Sequence, residues 1–162
     1  MKNFLMAGIV GLTTFGSVAF AQTPSVTDAE FVTKASVGNT FEVEEAKIAL
    51  QQASDAKLKQ FAQKMIDDHT DAEKKLATAA GKAGDQPQTT LDQPHQAMLD
   101  NLKTFNGTDF DKIYIADQIA AHDETVNLLS DYKQNGQNND LKSWADDSLT
   151  VVKGHKAMID AM

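Results

Sequence analysis

The chain has 162 residues, no cysteine, no arginine and a formal charge of −8. Without cysteine there is neither a disulfide nor a thiolate ligand. Without arginine or a basic patch there is no fork to clamp phosphate, so nucleic acid is excluded as a partner.

Residues 1–21 read as a secretory signal peptide. Lys2 is followed by an apolar run over 4–20, and Ala19-Phe20-Ala21 fits small-x-small cleavage. Loss of Lys2 takes the charge from −8 to −9. The alternative for this segment is an uncleaved anchor. No later stretch reaches the ~18 consecutive apolar residues of a membrane span, so the mature chain is expected to have none. The remainder, 22–162, is about the size of one domain.

Helix one is expected over 27–52. Thr27 and Glu30 form a capping-box pattern, and Phe31, Ala35, Gly38, Ala46 and Ala49 recur at helical spacing. Ser54 or Asp55 can cap a second helix with Leu58, Phe61, Ala62, Met65, Ala72, Leu76 and Ala79 on one stripe, stopping near Gly81 and Gly84. Only a tight turn separates the two, so they should be antiparallel. A Gly, Pro, Gln and Thr-rich loop follows over 84–93, then a short helix at about 94–105. Asn106-Gly107 breaks it, and a third long helix opens at Thr108 and Asp111, carries Ile115, Ile119, Val126 and Leu129, and stops at Asn135-Gly136. Asn139 or Asp140 caps the last helix, whose apolar side is Leu141, Trp144, Ala145, Ser148, Val151, Val152, Met158, Ile159 and Met162. Lysines alternate with acids along these helices (Glu44/Lys47, Asp55/Lys59, Asp71/Lys75), the pattern of solvated faces.

No segment alternates with period two, so the fold class is all-α. At ~1.5 Å per helical residue and ~3.3 Å per extended one, 84–107 is long enough to span the ~40 Å of the second helix and set helices two and three parallel. That crossover is what a ferritin-like four-helix bundle with a short extra helix in the connection requires.

Helical spacing turns His69, His122 and His155 into the core from three different helices, and Glu42 from the first, with Glu45 as second choice there. His69 and His122 lie within ~1 Å of their helix centres, Glu42 about 4 Å beyond and His155 about 7 Å beyond. One carboxylate and three neutral imidazoles suit a divalent transition ion such as Zn, Fe, Mn, Cu or Ni. The competing reading is a metal-free network in which these groups bond one another. Asp68, Asp123 and Glu45 are candidates to orient the ligands from behind. His95 is expected at the surface with no role, and Trp144, Tyr114 and the phenylalanines in the core. No phosphate loop, nucleophile elbow or HExxH is present, so no catalytic residue is assigned.

Phe31-Val32 through Gly38, Glu42-Val43-Glu44 with Lys47-Ile48-Ala49, Lys59-Gln60-Phe61-Ala62, Met65-Ile66-Asp67-Asp68-His69-Thr70-Asp71-Ala72, Phe110-Asp111-Lys112-Ile113-Tyr114-Ile115, His122 and the His155 helix together resemble an exported bacterial family catalogued as domain of unknown function 4142. The resemblance implies a ferritin-like bundle in the periplasm, with members often labelled outer-membrane proteins, and no particular activity. The matching positions are Glu42, Asp68-His69, His122 and His155. Ala121 departs from the Asp-His of the family's second histidine motif, which leaves Asp123 as the acidic neighbour. Di-iron bundles use Glu-x-x-His on two helices. Here Ile66, Ile119 and Val152 stand three before the histidines, which argues against di-iron chemistry. The expectation is a non-enzymatic periplasmic bundle holding one metal ion for metal handling or to secure the fold. The alternative is a cell-envelope structural or interaction protein with a protein partner.

Overall fold

The computed structural model describes residues 26–162, and the expected signal peptide over 1–21 lies outside them. Five helices are found among the described residues: α1 (Asp28–Gln52), α2 (Ala56–Ala83), α3 (Gln93–Leu102), α4 (Gly107–Asn135) and α5 (Asn139–Ile159). The Thr27–Glu30 capping box is formed, with the Glu30 carboxylate accepting from the Thr27 amide at 2.9 Å and the Thr27 hydroxyl accepting from the Glu30 amide at 3.3 Å. Asp55 caps α2, and Gly84 ends it in the left-handed region at φ 85°, where a side chain is strained. The cap of α5 is Asn138 rather than Asn139 or Asp140. Its side chain accepts from the Asp140 and Leu141 amides and so covers two of the free donors at that end.

Side-chain pairs give the directions. Asn39 meets His69 and Ser36 meets Glu73, while Glu42 meets Gln118 and Asp28 meets Tyr132, so α1 is antiparallel to both α2 and α4. Asp68 meets His155 and Lys82 meets Asp140, so α2 and α5 are antiparallel as well. It follows that α2 and α4 are parallel. The 84–106 segment therefore runs back along the bundle, as the crossover length predicts, and α3 lies within it with Leu99 and Leu102 buried. The closed neighbour circuit is α1, α2, α5, α4. Asp111 ties the start of α4 to the α1–α2 turn, accepting from the Ser54 and Asp55 amides at 2.9 and 3.2 Å. Thus Asp111 serves another element instead of opening its own helix, and Asn106 caps α4 without a side-chain bond.

The core has two apolar ends. One gathers Phe31, Leu76, Leu129, Tyr132, Leu141, Trp144 and Val152, and the other Leu58, Phe61, Met65, Leu102, Phe110, Tyr114 and Ile159. Phe31 stacks on Tyr132 at 3.7 Å between ring centres. Two expected stripes are adjusted. On α4 the fully buried positions are Phe110, Tyr114, Gln118 and Tyr132, while Ile115, Ile119 and Val126 sit half-buried at the flanks. On and just after α5, Val151, Met158 and Met162 are exposed and Leu149 is buried, because α5 packs chiefly on α2 and α4, with Phe31 of α1 against Trp144, and its covered arc is narrow. Among the described residues no helix is long and apolar enough to cross a membrane.

Candidate metal centre

Between the two apolar ends lies a polar layer. His69 on α2, His122 on α4 and His155 on α5 are 5%, 1% and 1% exposed, and one ring nitrogen from each lies within 4.8 Å of the other two. Their ring centres are 5.4 to 6.1 Å apart, and Phe61 stands 6.3 and 6.4 Å from His155 and His122 as an apolar floor.

Each ring is held from behind by an oxygen. His69 Nδ1 donates to Asn39 Oδ1 at 3.0 Å, His122 Nδ1 to the Gln118 carbonyl at 2.8 Å, and His155 Nε2 to Asp68 Oδ2 at 2.7 Å. A carbonyl or an ionised carboxylate can only accept, so those nitrogens carry the ring protons. The other nitrogens, His69 Nε2, His122 Nε2 and His155 Nδ1, are buried with no hydrogen-bond partner. Burial holds all three rings below the ordinary histidine pKa. His69 falls to about 3, with His155 and His122 adding to the effect, and His122 to about 4. At neutral pH the rings are uncharged and each has a free lone pair, the protonation state a metal ion needs.

The supports are themselves fixed. Asn39 Nδ2 donates to Glu73 Oε2 at 3.0 Å, which orients the amide so that Oδ1 faces His69. Ser36 Oγ lies 2.7 Å from both Glu73 Oε1 and the Gln88 carbonyl, which links the chain of supports to the crossover segment. Asp68, about one-quarter exposed at its side chain (29%), also receives Lys64 Nζ at 2.6 Å. Burial raises its pKa, but the hydrogen bonds from Lys64 and His155 outweigh that and keep it below the usual carboxylate value.

Glu42 does not join the compact three-histidine set. Its Oε1 is 3.5 Å from His122 Nδ1, the nitrogen already donating to Gln118, and its Oε2 accepts from Gln118 Nε2 at 2.5 Å. Glu45 is fully buried and accepts from the same Gln118 nitrogen at 2.7 Å. Burial pushes both carboxyls up, and the Glu42 charge adds to the effect on Glu45. The Tyr114 hydroxyl is buried close by with no hydrogen-bond partner. Asp123, expected beside His122, faces solvent and pairs with Lys156 at 3.0 Å. His95 is half-buried rather than at the surface, with its ring 4.9 Å from Phe41 and Nδ1 on Asp92.

Asn39 and Gln118 were not singled out from sequence. Both carry a helical signal: Gln118 is four before His122, and Asn39 is four after Ala35 and three before Glu42. An amide on an inward stripe next to a titratable group is the pattern that would have found them.

The model of the family described as Domain of unknown function (DUF4142) matches residues 14–162. No curated protein matches the chain. Among solved structures the chain is similar to CopM in its Cu(II)-bound form, at 23% identity over 85% of this chain and 96% of that one, with a TM-score of 0.72. The Ag-bound form of CopM gives 22% identity over 84% and 94% and a TM-score of 0.69. A DUF305 fragment from Deinococcus radiodurans gives 13% identity over 85% and 97% and a TM-score of 0.71. At these identities the likeness concerns the fold.

Proposed function

The chain belongs to the family of domain of unknown function DUF4142, and we propose that this member binds one transition-metal ion through His69, His122 and His155 and serves in metal handling outside the cytoplasm. The observation that carries the reading is the set of three buried, uncharged imidazoles, each fixed by an oxygen on one nitrogen and without a partner on the other. An unpaired buried polar atom costs ~1–3 kcal/mol, so three at one point are costly unless something binds there. Imidazoles oriented by carboxylate or carbonyl acceptors are the usual arrangement around metal-bound histidine. Glu42 lies next to His122 and supplies negative charge once an ion displaces its proton. Among Zn, Fe, Mn, Cu and Ni, copper comes first. Imidazole nitrogen suits it, and the similar CopM is described in Cu(II)-, Cu(I)- and Ag-bound forms.

Export is supported by Lys2, the apolar run over 4–20 and the Ala19-Phe20-Ala21 end, which together make 22–162 the mature bundle.

Elemental analysis of tag-free protein, loaded with each ion in air and under anaerobic conditions, should return close to one metal per chain. His69→Ala and His122→Ala should each weaken binding by more than about a hundredfold, beyond the effect of losing an outer partner. Wild-type protein that retains no ion under any loading condition, with a melting temperature indifferent to chelator, overturns the reading. A metal-free hydrogen-bond network then remains.

A further inference from the structure

His69 belongs to two places at once. Besides the histidine cluster it lines a cavity of about 470 Å³ centred on the α2–α5 seam, walled by Ala72, Leu129, Trp144 and Val152 and reached from α1 by Gly38 and Asn39. This volume falls in the range that holds small organic molecules, and it is far more than one ion with a few waters needs, at ~30 Å³ per water. The mouth is charged, with the Lys75–Asp71 and Lys82–Asp140 ion pairs on its exposed rim.

Asn39 and His69 are the buried polar residues in the cavity wall. The Asn39 amide is committed at both ends, to His69 and to Glu73. What remains without a partner is His69 Nε2. Three imidazoles leave a four-coordinate ion one position short, so an ion at the cluster needs one more donor. Of the three histidines, His69 is the one that lines the cavity, so a donor seated there would approach the cluster from the His69 side.

We propose that the cavity seats a small molecule with an apolar body and a single nitrogen, oxygen or sulfur donor, whose donor atom completes the coordination of the ion. Apolar walls recognise the body and the ion recognises the head. The inference rests on metal binding by the three histidines and adds a second ligand to it.

The test uses the full mature chain loaded with cobalt(II), whose visible absorption responds to its ligands. Imidazole and 4-phenylimidazole offer the same donor and differ by one ring. In wild-type protein 4-phenylimidazole should bind at least about tenfold tighter, because the ring leaves water for the cavity. Gly38→Leu fills the cavity away from the histidines, at a position where an added Cβ meets nothing within 4 Å. Ala79→Leu is a second filling variant on another helix. Both should keep cobalt(II) and lose the preference for the phenyl compound. Equal affinities in wild type, or a preference that survives in both filled variants, overturns this proposal while leaving the metal site standing. Failure of wild type to bind cobalt(II) overturns both.

Discussion

His69, His122 and His155 enter the core uncharged and keep a lone pair to offer, whereas Glu42 and Glu45, at the same level of the bundle, are acids that burial encourages to keep their protons. The same desolvation acts on both groups and favours the neutral form of each. Its consequence for stability has opposite sign. Below about 6.5 the unfolded chain protonates histidines that the folded chain leaves neutral, so the histidine cluster makes stability fall as pH falls from 6.5 toward 4. Above about 4.5 the unfolded chain releases carboxyl protons that the folded chain retains. The glutamate pair therefore makes stability fall as pH rises from about 4.5 to about 8. One cluster keeps three unpartnered lone pairs, and the other rests on a single amide.

That amide is where the comparison breaks most sharply. Gln118→Ala removes the donor shared by Glu42 and Glu45 and leaves a void beside Tyr114, so metal-free protein should lose about 3–5 kcal/mol in denaturant unfolding at pH 7. A loss under about 1 kcal/mol would mean that the pair has no need of it.

Next comes the alkaline limb. The double substitution Glu42→Gln with Glu45→Gln keeps shape and acceptor oxygens but removes both titrations. The fall in unfolding free energy between pH 4.5 and 8, roughly 1.4 kcal/mol per pH unit for one retained proton, should flatten. An unchanged slope assigns it to other groups.

The acid limb is expected to respond to His69→Gln in chelated protein, since an amide at that place still reaches Asn39 and takes up no proton. The slope between pH 4 and 6.5 should drop by about one ring's share, again ~1.4 kcal/mol per unit at most, with the alkaline side untouched.

The smallest change is Gly38→Ala, on α1 where the Cβ has open space. Added helix propensity should raise stability by about 0.5–1 kcal/mol at every pH, shifting the curve without altering its shape. A pH-dependent gain would show that α1 couples to one cluster and not the other.

Much of this arrangement is written in the chain. The Thr27–Glu30 box, the Gly84 stop, the 84–106 crossover and the inward facing of His69, His122 and His155 follow from local geometry, because capping, left-handed backbone and a 3.6-residue repeat depend on near neighbours alone. These features also contain the bundle topology, since a connection that long can return along a helix. Tertiary structure decided the rest. Helical spacing fixes a direction only to within a broad arc, and which part of the arc is covered depends on the partner helices. That is why α4 buries Tyr114 and Gln118 ahead of Ile115 and Ile119, and why Asp123 turns out to Lys156. The partners that set each ring nitrogen come from across the bundle for His69 and His155, 30 and 87 residues away, and from a backbone carbonyl for His122. Glu42 shares the histidines' level yet is drawn to Gln118, because a buried carboxyl goes to the donor that satisfies it. The order of residues placed the three histidines in one layer, and only the packing of four helices could choose which lone pairs were left free.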